Sequence, residues 1–175
     1  MISSTKTETS NLSHVEQKLS VQCKTFTVDS TAIRSLDWDR SRFDIEFGLR
    51  NGTTYNSYII KGKEIAVIDT SHSKFEKLWI KRLIEEVNPQ DIKYLITSHT
   101  EPDHSGLISD LLDLNDKIRI VGSKIALKFI DDQIHRPFNR LEVKSGEFLN
   151  LGLNEKSGIS HNIEFISAPN LHWPD

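Results

Sequence analysis

Cysteine is almost absent from this chain. Cys23 is the only one, so neither an internal disulfide nor a cysteine zinc cluster can form, which suits a reducing cytoplasm. Any metal must therefore be held by His, Asp and Glu. Long apolar runs are missing as well. No stretch approaches the roughly 18–20 residues needed to cross a bilayer, and the sequence reads as a soluble, cytoplasmic protein with no membrane span. Nor is there a basic stripe: 22 Lys and Arg are scattered among 25 Asp and Glu, for a net charge of −3, which argues against a nucleic-acid partner. Residues 1–20 have little apolar content and no central apolar stretch, and Glu8 and Glu16 count against a transit peptide. They read as a disordered polar arm ahead of one domain over residues 21–175.

From Val21 the pattern is that of strands, over 23–28, 31–38, 43–49, 55–60 and 64–69, with turn chemistry at Asn51-Gly52 and Lys61-Gly62-Lys63. That predicts an antiparallel meander. Phe75, Leu78, Trp79, Leu83, Ile84 and Val87 then recur at helical spacing until Asn88-Pro89 stops them. A strand over 94–97, a helix over 107–114, a strand over 118–121 and a helix over 123–134 capped by Ser123 follow in a βαβα rhythm. Short strands return at 141–143, 148–151 and 163–166, with Gly146 and Gly152 marking turns. Alternating strands and helices imply a sheet covered by helices, with sites at the carboxyl ends of strands.

One such end carries the chemistry. Residues 99–106 read His-Thr-Glu-Pro-Asp-His-Ser-Gly, two imidazoles and two carboxylates directly after the 94–97 strand. His99, Glu101 and Asp103 alternate, so in an extended segment they leave the backbone on one side. His104 breaks the alternation and aims a fourth donor elsewhere, as a second ion nearby would require. The pattern points to a dinuclear site. A histidine beside an acid is more often an ion pair or a cap, and Asp103 suits the cap of a helix starting near His104; four such residues together outweigh the reading as a polar loop. The end of the chain, Ala-Pro-Asn-Leu-His-Trp-Pro-Asp over 168–175, again sets a histidine, His172, after an apolar strand. His14, His72, His135 and His161 read as structural or solvated, His72 being the strongest exception because it follows the strand-end Asp69.

The order strand, His-x-Glu-x-Asp-His, then a further histidine 68 residues on (172 − 104 = 68) resembles the metallo-β-lactamase-like domain of flavodiiron proteins. Residues 31–48 and 51–58, with 99–106 and 168–175, look most like its cyanobacterial multi-domain members, the diflavin flavoproteins. The resemblance runs from about residue 21 to the last. It implies an α/β fold, the metallo-β-lactamase-like αββα sandwich. It also implies two iron ions, one held by His99, Glu101 and His172 and the other by Asp103 and His104, with Trp173 near the flavin of a partner subunit. In the zinc hydrolases of this fold a histidine stands where Glu101 does, and a carboxylate there makes the donor set harder and more negative, favouring iron.

The implied activity is that of an oxidoreductase reducing dioxygen to water, or nitric oxide in some members, with electrons from NAD(P)H through FMN. The implied partner is a second flavodiiron subunit in a homo- or hetero-dimer. The family pattern also calls for a bridging aspartate soon after 168–175 and a last histidine much later, and Asp175 follows His172 too closely to be taken as the bridge. The expectation is therefore a truncated domain, the first half to two-thirds of the sandwich, without flavodoxin-like or flavin reductase domains and inactive alone. No glycine-rich loop is present to hold FMN or NAD(P)H. Two other functions fit the same residues: a zinc-dependent hydrolase, which Glu101 disfavours, and a non-enzymatic remnant or interaction module.

Overall fold

The structure, a computed structural model, describes residues 6–8, 19–43 and 47–175. Eight strands form the main sheet: β1 (Lys6–Glu8), β2 (Leu19–Thr27), β3 (Ser30–Asp37), β6 (Thr53–Lys61), β7 (Ile65–Ile68), β8 (Ile92–Ile96), β9 (Arg119–Gly122) and β10 (Asn139–Glu142), lying side by side in that order. Neighbouring strands of this sheet pair antiparallel from β1 to β7 and parallel from β7 to β10. A parallel neighbour needs a crossover. The 3-10 turn Ser73–Phe75 and helix α1 (Glu76–Glu86) supply the first; α2 (Pro102–Ser105) with α3 (Ile108–Leu114), then α4 (Lys124–Ile134), supply the next two.

Alternation along the parallel strands explains the layers. Val67, Leu95 and Ile120 face the helices and pack with Phe75, Trp79, Leu83, Leu111 and Leu127. Ala66, Tyr94, Ile96 and Val121 face the other side and meet Leu151 of the hairpin β11 (Phe148–Asn154) and β12 (Ile159–Glu164). Being buried on both faces is what keeps such strands almost continuously apolar. Trp79 is fully buried and its indole N–H donates to Ser57 Oγ at 2.8 Å. Ser123 caps α4 by accepting from the Ala126 N–H, as its position predicted. No helix among the described residues is long and apolar enough to cross a membrane.

Two expectations change. Residues 43–49 are not a meander strand: among the described residues Arg42–Phe43 (β4) and Phe47–Gly48 (β5) pair with each other and not with the main sheet, and residues 44–46 lie outside the described ones. Each strand has two hydrogen-bonding edges, and β3 gives its own to β2 and β6, the latter in register from Asp37↔Thr53 to Ser30↔Ile60. Gly52 lets the chain come back close against the end of β3: at φ +68 it sits where a Cβ would fall 1.9 Å from the Asp37 carbonyl oxygen. Within the polar arm, Lys6–Glu8 pair with Val21–Cys23, and Leu19 and Ser20 already belong to β2. A free sheet edge recruits backbone whatever its side chains. The rest of the arm lies outside the described residues.

Candidate metal centre

The carboxyl ends of β7 and β8 converge with the last segment of the chain. After Ile68 the backbone turns at Asp69, which takes the left-handed conformation at φ 55. After Ile96 it leaves the strand and bends at Ser98 and again at Glu101, whose own backbone is extended, and Pro102 opens α2. Proline at the first helical position has no N–H to lose and a φ already suited to a helix. This corrects the strand alternation: it holds for His99 and Glu101, while Asp103 and His104 are carried by a helical turn. That turn crosses the 69–73 loop closely. A Cβ on Gly106 would lie 2.4 Å from the Pro102 carbonyl oxygen and 2.8 Å from that of Ser71.

Glu101 lies between two imidazoles. Its Oε2 is 3.1 Å from His172 Nε2 and 3.4 Å from His99 Nε2, and one donor atom from each of the three residues falls within 4.8 Å of the others. Burial disfavours the charged carboxylate, but the hydrogen bond and charge of His172 and the proximity of His99 outweigh it and hold Glu101 below the usual carboxylate range. The second pair adjoins the first. The His104 ring centroid is 5.2 Å from that of His99, and His104 Nε2 is 3.8 Å from Asp103 Oδ2. His104 is held above the ordinary imidazole value: burial opposes its protonation, and the bond and charge of Asp69, with the charges of Asp103 and Glu101, prevail. Trp173 stacks edge-on between His99, at 5.5 Å, and Phe129 of α4, at 5.9 Å.

Of the five predicted donors, His99, Glu101 and His172 converge as one group, and His104 with Asp103 adjoins it at the His99 ring. The other histidines do other work. His72 caps the 3-10 turn, its Nδ1 accepting from the Lys74 N–H at 3.3 Å, and stacks on Tyr55. His135 is the left-handed C-cap of α4, and His161 bonds Asp29 at 2.9 Å. His14 lies outside the described residues. Sequence reading passed over Asp69, whose carboxylate reaches His104 Nδ1 at 2.9 Å, and Thr100, fully buried between the ligands. The signal for Asp69 was its place at a strand end beside the one that delivers the motif.

The chain is similar to the diflavin flavoprotein A 1 of Synechocystis, 55% identical over 160 residues, 91% of this chain and 27% of that protein. The anaerobic nitric oxide reductase flavorubredoxin of Vibrio vulnificus is 33% identical over 141 residues, 79% of this chain and 27% of its own length. The metal-soaked Flv1 flavodiiron core of Synechocystis superposes with a TM-score of 0.79 at 29% identity, covering 89% of this chain and 38% of that one. Residues 53–175 match the family model described as ODP family beta lactamase. The chain belongs to the flavodiiron family, through its ODP-type beta-lactamase domain. It spans about a quarter of the length of the curated flavodiiron relatives it matches.

Flavodiiron proteins imply iron, and the residues present fit it. His99 Nε2 is buried and has no hydrogen-bond partner among the described residues, with the Glu101 carboxylate beyond it and His172 alongside. A buried ring nitrogen without a partner is costly unless something accepts its lone pair. Imidazole and carboxylate donors without sulfur are the set that non-haem iron takes.

Proposed function

We propose that this chain is the iron-holding part of a cytoplasmic flavodiiron oxidoreductase that reduces dioxygen to water, with electrons from NAD(P)H through FMN. His99, Glu101 and His172 hold one iron, and Asp103 and His104 the other. The observation that carries this reading is the Glu101 carboxylate between two imidazoles. Bound iron supplies the redox chemistry; the chain supplies geometry and charge. Glu101, ionised well below neutral pH, favours the more highly charged oxidation state, while the imidazoles temper that preference. Trp173 walls off His99 and lies toward the flavin of a partner subunit, in a homo- or hetero-dimer, the FMN being held outside these 175 residues. A relative named for nitric oxide reduction makes nitric oxide the competing substrate.

The test is anaerobic loading with Fe(II), followed by oxygen and nitric oxide consumption with NAD(P)H and a flavin-bearing subunit of the family. Wild-type chain should take up iron and support turnover, and His99→Ala should lose both. A protein that instead retains two zinc ions and hydrolyses esters or thioesters is a hydrolase. One that folds, takes no metal and only dimerises with a relative is an interaction module.

A further inference from the structure

We propose that Asp69 and Asp175 are the positioning residues of this centre, backing the Nδ1 edges of His104 and His99 respectively, so that both rings carry their proton at Nδ1 and present Nε2 to the ions. The proposal rests on the metal-binding reading above. The two carboxylates are held in the same way. Ser98 donates its backbone N–H to Asp69 Oδ1 at 2.7 Å and its hydroxyl to Oδ2 at 2.5 Å. Thr100 donates its N–H and its hydroxyl to Asp175 Oδ2, at 2.7 and 2.6 Å. Ser98 and Thr100 flank His99, so one short segment grips both acids. Both are nearly inaccessible, their side chains being 6% and 1% exposed.

Each acid has an oxygen for an imidazole. Asp69 Oδ2 is 2.9 Å from His104 Nδ1. Asp175 Oδ1 is buried with no hydrogen-bond partner among the described residues and faces His99 Nδ1 at 3.2 Å. A carboxylate oxygen left bare in the interior costs more than one that accepts a bond, and a proton on His99 Nδ1 answers it. The same ring's Nε2 is the buried, unpartnered nitrogen that faces Glu101 at 3.4 Å. The tautomer that satisfies the acid therefore frees the lone pair that a metal needs. A carboxylate behind a ligating imidazole fixes its orientation and raises its basicity.

The surroundings reinforce this placement. Asp69 keeps a left-handed φ of 55 that side chains other than glycine rarely adopt, which aims its carboxylate across to Ser98 and His104. The Thr100 carbonyl accepts from Ser105 Oγ at 2.9 Å and from Gln133 Nε2 at 2.8 Å, so α4 locks the segment that holds Asp175. Asp175 thus lies on the Nδ1 side of His99, away from the edge that faces Glu101.

Long-range 1H–15N spectra of the metal-free chain, above the pH where its imidazoles are charged, read the tautomers directly. Wild-type His99 and His104 should both be Nδ1–H. Asp175→Asn should perturb His99 alone and Asp69→Asn His104 alone. Each should weaken Co(II) binding, measured by chelator competition, by about 10–100-fold, with circular dichroism unchanged. Nε2–H tautomers in the wild type overturn the proposal even if a variant does not fold, and so do folded variants that bind Co(II) like the wild type. A wild-type chain with Nδ1–H rings that binds neither Co(II) nor Fe(II) instead defeats the metal-binding reading.

Discussion

Asp37 offers a direct measure of what holds the loop beneath the site. It ends β3, is 1% exposed, accepts the Tyr55 hydroxyl at 2.8 Å, and pairs with the Lys74 ammonium from the 3-10 turn that follows the Asp69 loop. Burial opposes its charge, but Lys74 and Tyr55 prevail and hold the carboxyl below its ordinary value of 3.8. Asp37→Ala removes both bonds. Breaking a wholly buried pair costs about 3–5 kcal/mol. Lys74 is 35% exposed and can turn to water, while Tyr55 keeps its bond from Arg40. The loss is therefore smaller, about 2–3 kcal/mol, the size of the one charge-assisted bond from Tyr55 with little added by the solvent-screened ammonium, or roughly 5–10 °C in melting temperature for a chain of this length.

Urea unfolding at neutral pH, followed by tryptophan fluorescence, measures it. The pH dependence has a definite sign. A carboxyl with a lowered native pKa stabilises the fold above its ordinary value, and the contribution fades as pH falls from 3.8 through the native value. Wild type and Asp37→Ala should therefore converge in acid. A loss under about 0.5 kcal/mol at neutral pH, or a Lys74→Met cycle with no coupling, refutes the buried-pair reasoning.

Glu101→His should raise the preference for zinc over Fe(II) by about tenfold or more, since it replaces the hard anionic donor with a third imidazole; unchanged selectivity in metal competition removes the case for iron. Gly106→Ala should cost about 1–3 kcal/mol in thermal unfolding, because its Cβ has no room between the Pro102 and Ser71 carbonyls; a neutral effect means that the crossing is looser than described. Trp79→Phe should cost about 1–3 kcal/mol by leaving the buried Ser57 hydroxyl without its donor, and Ser57→Ala in that background should then add little in the same unfolding assay.

Much of the chain was legible from local pattern. The helical period from Phe75 to Val87, the Ser123 cap and the apolar strands at 94–97 and 118–121 are short-range signals, and each became the element expected. The 43–49 stretch misled because its alternating pattern matches a sheet strand, yet the ladder had no free edge for it. The strand alternation of His99, Glu101 and Asp103 misled at its last member because Pro102 starts a helix there.

Donor chemistry followed from the sequence by itself: with one cysteine and a cluster of His, Asp and Glu after a strand, any metal held here meets nitrogen and oxygen. Only the tertiary structure decided which donors meet. His172 reaches Glu101 across 71 residues, and Asp69 reaches His104 across 35. Such encounters depend on which strand ends the sheet sets side by side, a property of pairing order and crossover that no local spacing encodes.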